Sequence, residues 1–177
     1  MTAARQVVFV DRDGVLTVPD VRRGKGYAVR TLQELSFYPD AASSVARLRA
    51  AGYDVVVVTN QPDVANGLIE GVTLEAIHTR VMEVTGVTRI RICPHGSEDG
   101  CRCRKPLPGL LLDEAVAEPV DFSSSWMVGD RDSDVEAGRA VGARAVFIDR
   151  GWTGETGDGA HAVVVTLGQA VDTILSS

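Results

Sequence analysis

Short apolar segments that alternate with helix-like segments constrain the fold of this 177-residue chain more than any other feature. Most of the short segments are apolar at consecutive positions, which indicates strands buried on both faces. Six segments are predicted as strands: 6–10, 53–58, 89–92, 126–128, 145–148 and 162–165. Helical spacing predicts helices at 40–50, 73–85, 108–118, 133–141 and 167–175. This alternation predicts an α/β fold, a Rossmann-like three-layer sandwich with a central parallel sheet.

Local signals mark the start of two helices. Ser133 followed three residues later by Glu136 matches a capping box, so a helix is predicted to start there and to stop at Gly142. Pro108 is favoured in a first helical turn, because the N–H it lacks would have no helical partner there.

The length suits one domain, which we predict to span residues 1–177.

The charge balance excludes several classes of partner. There are 18 Lys and Arg against 24 Asp and Glu, for a net charge of −6 and a pI near 5.0. An acidic chain disfavours nonspecific binding to nucleic acid or membrane surfaces. No apolar run approaches the ~20 residues of a membrane helix, and no signal peptide is recognised near the start. We therefore expect a cytoplasmic protein that binds neither nucleic acid nor membranes.

Polar residues follow the predicted strands, where a parallel sheet binds its ligands. Four strand ends carry such residues: Asp11, Thr59-Asn60, Gly129-Asp130 and Asp149. Asp11 and Asp13 are two residues apart and can face one reacting centre, one as nucleophile or metal ligand and the other as proton donor and acceptor. The alternative is that both form a turn beside Gly14, since Asp and Gly are common in turns.

A second pair of acidic residues favours the catalytic interpretation of Asp11 and Asp13 over the turn. Asp130 and Asp134 follow another strand, and a purely structural role for Asp134 would be to complement the dipole at a helix start. Two acidic strand ends at one edge repel each other unless a cation lies between them. Mg²⁺ prefers oxygen ligands and binds through one or two carboxylates plus substrate phosphate. The sequence therefore predicts a magnesium site.

Phosphate-binding groups are predicted beside this acidic edge. The hydroxyl of Thr59 and the backbone N–H groups near Asn60 suit phosphate oxygens, although a polar strand terminus explains either residue alone. Lys105 is one of only two lysines and follows the cysteines directly. It suits a phosphate-stabilising role, with a solvated surface lysine as the alternative.

Three cysteines and a histidine cluster between residues 93 and 103. Cys93, His95, Cys101 and Cys103 form a complete Cys₃His set with no open position, which is typical of structural zinc. The intervening residues 96–100 have no apolar anchor, so a metal could order this loop and hold Arg104 and Lys105 beside a phosphate. A disulfide with a spare thiol, or unrelated free cysteines, is the alternative.

Four short motifs resemble those of the haloacid dehalogenase (HAD) superfamily: Asp11-Arg12-Asp13-Gly14-Val15, Thr59-Asn60-Gln61, Lys105-Pro106 and Gly129-Asp130 followed by Asp134. The cysteine loop is similar to that of the zinc-loop phosphatases, which include heptose bisphosphate 7-phosphatases and histidinol-phosphate phosphatases. This resemblance implies that Asp11 is the nucleophile and Asp13 the general acid and base. It also implies that Asp11, the Asp13 carbonyl and Asp130 hold Mg²⁺, while Thr59 and Lys105 stabilise the phosphoryl group.

Further residues are predicted to contact the substrate: Asn60, Gln61, Arg104, Arg131, Lys25, Gly26 and Tyr27. The basic segment 22–27 suits a second anionic group, or is only a solvated loop. His78 and His161 are interpreted as packing or surface residues, and the glycine-rich segment 151–159 as a flexible connection. The gaps after Asp13 and Asn60 are too short for a cap domain, so the site is expected to be open.

The sequence thus predicts a capless, monomeric phosphatase with catalytic Mg²⁺ and structural Zn²⁺. Its expected substrate is a small phosphorylated metabolite, best matched by D-glycero-D-manno-heptose 1,7-bisphosphate. Histidinol phosphate is the first alternative. A polynucleotide 3′-phosphatase and a zinc-stabilised binding module without catalysis are weaker alternatives.

Overall fold

Six parallel strands form the central sheet. The computed structural model describes residues 4–177, so residues 1–3 of the predicted domain lie outside the described part. In chain order the strands are β1 (Val7–Val10), β2 (Asp20–Arg22), β3 (Lys25–Tyr27), β4 (Asp54–Asn60), β5 (Arg89–Cys93), β6 (Trp126–Gly129), β7 (Arg144–Ile148) and β8 (Ala162–Val164). The sheet order is β5-β4-β1-β6-β7-β8, and β2 pairs with β3 separately. All six main strands are parallel.

Five α-helices cover both faces of this sheet: α1 (Ala41–Ala50), α2 (Gly71–Thr85), α3 (Gly109–Ala117), α4 (Asp132–Ala140) and α5 (Leu167–Leu175). Residues of α1, α2 and α5 pack in one apolar cluster with one face of the sheet. Residues of α3 and α4 pack against the other face. The predicted three-layer α/β sandwich is confirmed.

The strand β1 shows why its sequence is apolar at every position. Val8 and Val10 belong to the cluster formed with α1 and α5, whereas Val7 and Phe9 belong to the cluster on the opposite face. All four side chains are fully buried. Since successive side chains of a strand point to opposite faces, a strand covered on both sides must be apolar throughout.

The segment predicted as a basic loop is a β-hairpin. Arg22 of β2 pairs with Lys25 of β3, and the turn between them holds Arg23 at φ 52° and Gly24 at φ 73°. Backbone with positive φ at both central residues is the geometry of the tight hairpin turns that suit strand twist. A 3₁₀ turn at Phe122–Ser124 was also not predicted.

The capping box predicted from Ser133 and Glu136 is wrong. The helix α4 begins at Asp132, and it is the Asp134 carboxylate that accepts a hydrogen bond from the backbone N–H of Arg131, at 3.1 Å. A carboxylate three residues after Arg131 can reach back over the exposed N–H groups of the first turn. Asp134 is therefore held at the start of α4, with its side chain buried.

The described chain has no cap-sized insertion after β1 or β4. Between β1 and α1 the structure contains only the β2–β3 hairpin and its connections, and ten residues separate β4 from α2. Within residues 4–177, no helix combines the length and apolar character needed to cross a membrane.

Adjacent leucines of α3 provide a test of the packing. Leu111 is fully buried in the cluster under α3, while Leu112 is 45% exposed. We expect Leu111→Ala to lower the free energy of unfolding by about 2–5 kcal/mol, because the cavity adds to the lost transfer energy. The matched Leu112→Ala variant should lose less than about 1 kcal/mol. Urea unfolding measures both, and equal losses would contradict this packing.

Candidate active site

The ends of β1 and β6 bring three carboxylates together. These strands are neighbours in the sheet, with Val10 paired to Val128, so Asp11 and Asp130 leave them side by side. Asp134 joins them from the first turn of α4. One carboxylate oxygen of each lies within 4.8 Å of the others. The expectation that the two acidic strand ends meet at one edge is confirmed, whereas Asp149, at the end of β7, does not line the cavity they form.

Lys105 is the cation of this cluster. Its Nζ lies 2.9 Å from Asp11 Oδ1 and 2.5 Å from Asp134 Oδ1, and it donates to the Val58 carbonyl at 2.7 Å. The side chain is buried, so a solvated surface lysine is excluded. Burial alone would lower the pKa of Lys105, but the charges of Asp11 and Asp134 outweigh it and raise the pKa. The ammonium group is therefore permanently charged.

One ammonium group does not neutralise three carboxyl groups. Burial raises the pKa of Asp11 to about 6, with Asp134 and Asp13 adding to the rise and Lys105 opposing it. Burial also raises the pKa of Asp130 well above its usual range, and the charges of Asp11 and Asp134 act in the same direction. Burial is the main cause of both shifts, and the repulsion between carboxylates that one ammonium group does not neutralise adds to it. The cluster is built for a further cation.

The donor set fits Mg²⁺. Asp130 Oδ1 is buried and has no hydrogen-bond partner among the described residues, although a buried carboxylate oxygen is costly to leave unpaired. The neighbouring donors are hard carboxylate oxygens, which Mg²⁺ prefers. An oxygen that faces a cation would explain why no protein donor reaches it.

Two glycines permit this close approach. Gly14 adopts φ +88°, and a Cβ built on it would lie 1.9 Å from Asp130 Oδ2. A Cβ on Gly129 would lie 2.2 Å from the Asp134 side chain. Neither position can accept a side chain, so both glycines are required by the acidic cluster itself.

The Asp13 carboxylate accepts hydrogen bonds from three side chains. Its Oδ2 accepts hydrogen bonds from Arg12 Nη2 at 2.8 Å and Gln61 Nε2 at 2.9 Å, and its Oδ1 accepts one from Thr17 Oγ1 at 3.0 Å. Arg12 is completely buried. Sequence analysis treated Arg12 only as part of a motif and missed this contact. An arginine between two candidate catalytic aspartates was the available signal.

His78 supports Arg12 from α2. Its Nε2 lies 2.8 Å from Arg12 Nη1, so the neutral ring accepts from the guanidinium. Burial, followed by the charge of Arg12, lowers the pKa of His78 to about 4 against a smaller opposing effect of Asp13. His161 packs edge-on against Trp126. Packing roles were expected for both histidines, and the contacts agree.

The side chains of Asn60 and Gln61 form hydrogen bonds with neighbouring residues of the site. Gln61 Nε2 donates to Thr59 Oγ1 at 2.8 Å. Asn60 donates to the Lys105 carbonyl and accepts from the Lys105 N–H, both at 3.1 Å. The Asn60 side chain therefore fixes the backbone that carries Lys105, a positioning role that sequence analysis did not anticipate.

The four residues predicted to bind zinc lie together. The Cys93 Sγ atom is 3.6 Å from Cys101 Sγ, 3.1 Å from Cys103 Sγ and 3.6 Å from His95 Nδ1. A tetrahedral zinc with Zn–S bonds of about 2.3 Å separates its ligands by roughly 3.8 Å. No disulfide links these cysteines. The cluster is of the right size and chemistry for zinc.

A cavity of about 340 Å³ opens above the acidic cluster. Predicted substrate residues that line it are Asn60, Arg104, Arg131, Gly26 and Tyr27, together with the catalytic candidates Asp11, Asp13, Thr59 and Lys105. Within the described residues, Lys25 and Gln61 are not part of the lining. Lys25 is exposed on the hairpin, and Gln61 is buried and donates a hydrogen bond to Asp13.

Comparison with known proteins assigns the family. Residues 102–170 match the HAD-hydrolase-like family model. The chain is 39% identical over 153 residues to D-glycero-β-D-manno-heptose-1,7-bisphosphate 7-phosphatase of Pseudomonas aeruginosa, covering 84% of this chain and 83% of that protein. The chain belongs to the HAD superfamily, among its phosphatases.

A solved structure and a more distant relative extend the comparison. The crystal structure of D,D-heptose 1,7-bisphosphate phosphatase from B. bronchiseptica, complexed with magnesium and phosphate, matches with a TM-score of 0.81 at 32% identity, covering 97% of this chain and 98% of that chain. The histidine biosynthesis bifunctional protein of Campylobacter jejuni is 28% identical over 149 residues, covering 81% of this chain but 41% of that protein. The expected HAD fold is confirmed.

One element of this HAD phosphatase was misjudged from the sequence. The glycine-rich segment 151–159, predicted as a flexible connection, is tied to the start of α4. Glu155 accepts from the Asp132 N–H at 2.7 Å and pairs with Arg131 at 3.3 Å. Asp132 in turn accepts from the Gly157 N–H at 2.7 Å. The paired acids at 132 and 155 were the missed signal.

The Arg12–His78 contact predicts a pH dependence of stability. Between pH 6.5 and about 4 the unfolded chain binds a proton at His78 that the folded protein excludes. Stability should therefore fall as the pH decreases through this window, by on the order of 3 kcal/mol in total. The matched variant His78→Gln keeps an acceptor for Arg12 but cannot titrate, so its stability should fall less. Urea unfolding across this range compares the two, and parallel curves would contradict the assignment.

Proposed function

We propose that this HAD phosphatase hydrolyses a phosphomonoester of a small sugar bisphosphate through an aspartyl-phosphate intermediate. The best candidate is D-glycero-D-manno-heptose 1,7-bisphosphate, with the 7-phosphate removed. The observation that carries the proposal is the Asp11 carboxylate, placed beside the permanently charged Lys105 and the acidic cluster at the floor of an open cavity.

In the first step, an oxygen of Asp11 attacks phosphorus and the bond from phosphorus to the ester oxygen breaks. Asp13 in its protonated form delivers its proton to the departing alkoxide. Lys105 and Thr59 stabilise the phosphoryl oxygens, whose charge is spread in a loose transition state. Arg12, Gln61 and Thr17 hold the Asp13 side chain in place beside the reacting centre.

In the second step, Asp13 is an anion and accepts a proton from a water molecule. The water oxygen attacks phosphorus, the aspartyl–phosphorus bond breaks, and phosphate leaves with Asp11 restored as a carboxylate. The hydrogen bonds from Arg12, Gln61 and Thr17 support this half of the reaction, since they fix the position of the Asp13 carboxylate.

Mg²⁺ would be held by Asp11, the Asp13 backbone carbonyl and Asp130. When bound, it neutralises charge on the phosphoryl oxygens and on the attacking carboxylate. The unpartnered Asp130 Oδ1 supports this assignment. Asp134 is engaged by Lys105 and the Arg131 N–H, which favours a role in fixing Lys105.

A bisphosphate is favoured by the cations around the cavity. Arg104 and Arg131 line it beyond the acidic floor and suit a second anionic group. The Gly26 carbonyl accepts from Arg131 Nη2 at 2.6 Å, so the hairpin contributes by holding this arginine. A volume of 340 Å³ suits a single sugar. The 39%-identical relative is named for the β-anomer of heptose 1,7-bisphosphate, which supports that anomer here.

The alternatives are less well supported. Histidinol phosphate carries one phosphate and an amine, which match two arginines poorly, and the histidine-biosynthesis relative is distant and partial. A polynucleotide 3′-phosphatase conflicts with the net charge of −6. A binding module without catalysis would have no use for the buried Asp11–Lys105 pair, because paired charges cost desolvation energy.

The experiment that tests this function is phosphate release with Mg²⁺ from a substrate panel. The panel contains the β- and α-anomers of heptose 1,7-bisphosphate, histidinol phosphate and a 3′-phosphorylated oligonucleotide. We expect the highest kcat/KM for the β-anomer. Asp11→Asn should lower it at least about 10³-fold, because an amide cannot replace the nucleophile.

The control for Asp11→Asn is Asp113→Asn, which alters an exposed ion pair with Arg102 outside the cavity. This variant should keep wild-type activity. A higher kcat/KM for histidinol phosphate would overturn the substrate assignment, and full activity of Asp11→Asn would overturn the mechanism.

Zinc in the Cys₃His cluster is a structural proposal with its own test. We expect one zinc per chain by elemental analysis, and Cys103→Ser should lose it and lower Tm, because the loop has no apolar anchor of its own. The matched Ser97→Ala variant changes the same loop without touching a ligand and should retain both zinc and Tm. Zinc retained in Cys103→Ser at wild-type content would refute the ligand set.

A further inference from the structure

Trp152 reaches the acidic cluster from the loop after β7. Its indole Nε1–H donates a hydrogen bond to Asp130 Oδ2. The other oxygen of the same carboxylate, Oδ1, is the buried atom without a partner among the described residues. One oxygen of Asp130 is therefore anchored by the indole, while the other is left free to face the cavity.

The indole itself is held in place on several sides. A Cβ on Gly26 would lie 3.2 Å from Trp152 Cζ2, so the hairpin backbone packs directly against the ring. The Arg131 guanidinium lies 5.9 Å from the centroid of the indole ring. The same guanidinium donates a hydrogen bond to the Gly26 carbonyl. The next residue, Thr153, donates its N–H to the Gly24 carbonyl at 2.9 Å. These contacts fix the direction in which the N–H points.

We propose that Trp152 is a positioning residue for Mg²⁺, whose indole N–H orients the Asp130 carboxylate so that Oδ1 faces the metal. This inference rests on the proposed function, in which Asp130 is a magnesium ligand. Partners behind a metal ligand restrict its orientation, and their loss typically weakens metal affinity or activity by 10–100-fold. A second role of Trp152, packing against the hairpin, does not need the N–H group.

Trp152→Phe separates these two roles, because it keeps an aromatic ring and removes the donor. Isothermal titration of Mg²⁺ into the zinc-loaded protein without substrate should show affinity at least about 10-fold weaker than wild type. The matched control is Trp126→Phe. Trp126 is the only other tryptophan, it is buried in the core, and its Nε1 has no partner among the described residues. This control should keep wild-type Mg²⁺ affinity.

Tryptophan fluorescence gives a second readout, and its main measurement, on Trp126→Phe, does not depend on Trp152→Phe being stable. Mg²⁺ should change the emission of Trp126→Phe, which retains Trp152 alone, with a midpoint equal to the calorimetric dissociation constant. Trp152→Phe, which retains Trp126 alone, should show no change. Should Trp126→Phe fail to fold, the wild-type titration carries the same signal.

The outcomes distinguish this inference from the proposed function. The role of the indole is overturned if Trp152→Phe and wild type bind Mg²⁺ with equal affinity. It is also overturned if the fluorescence of Trp152 does not change when Mg²⁺ is added. Either result leaves the phosphatase mechanism intact. No Mg²⁺ binding by the wild type would overturn both. A substrate preference other than heptose bisphosphate changes the proposed function without affecting this result.

Discussion

The buried ammonium group of Lys105, lying between Asp11 and Asp134, is the interaction on which the site depends. A lysine so deep in the protein is stable only because both carboxylates surround it. It also ties together three distant parts of the chain: the end of β1, the start of α4 and the loop that follows the cysteines. Asn60 holds the backbone of that loop from the end of β4. The cysteine cluster lies just before it and would stabilise the same segment when it holds a metal.

The cluster of Asp11, Asp130 and Asp134 contains three carboxyl groups but only one ammonium group, that of Lys105. Asp130 adds a third carboxyl group to a space kept narrow by Gly14 and Gly129, and burial, followed by repulsion from Asp11 and Asp134, raises its pKa. Such strain is typical of functional sites, where a rigid scaffold holds groups that would otherwise separate. A divalent cation would supply the missing positive charge, and it would also offset the negative charge that a phosphoryl group brings to Asp11.

Sequence analysis identified what depends on local pattern. The inner strands, β1 above all, were recognised because helices cover both of their faces and their buried side chains are therefore apolar. Asp11 and Asp130 were found because each directly follows a predicted strand. The Cys₃His set was found because its spacing is typical of a zinc site. The meeting of Asp11 and Asp130 was predicted from the order of the strands, but other contacts between side chains far apart in sequence were missed. Arg12 meets His78 across 66 residues and Trp152 meets Asp130 across 22. No local sequence pattern encodes such pairs. The glycine-rich segment 151–159 resembles a linker because the sequence does not show its hydrogen bonds to the start of α4.

The sequence by itself determined the parallel α/β architecture, the family and the residue types at the acidic edge. Only the tertiary structure decided what each polar side chain does: Asn60 holds the lysine loop, Asp134 pairs with Lys105, and Gln61 supports Asp13 from behind. The physical reason is that composition and periodicity specify which surfaces are buried, whereas the direction of a side chain in a loop depends on neighbours supplied by other elements. Those neighbours exist only once the sheet has brought its strand ends together.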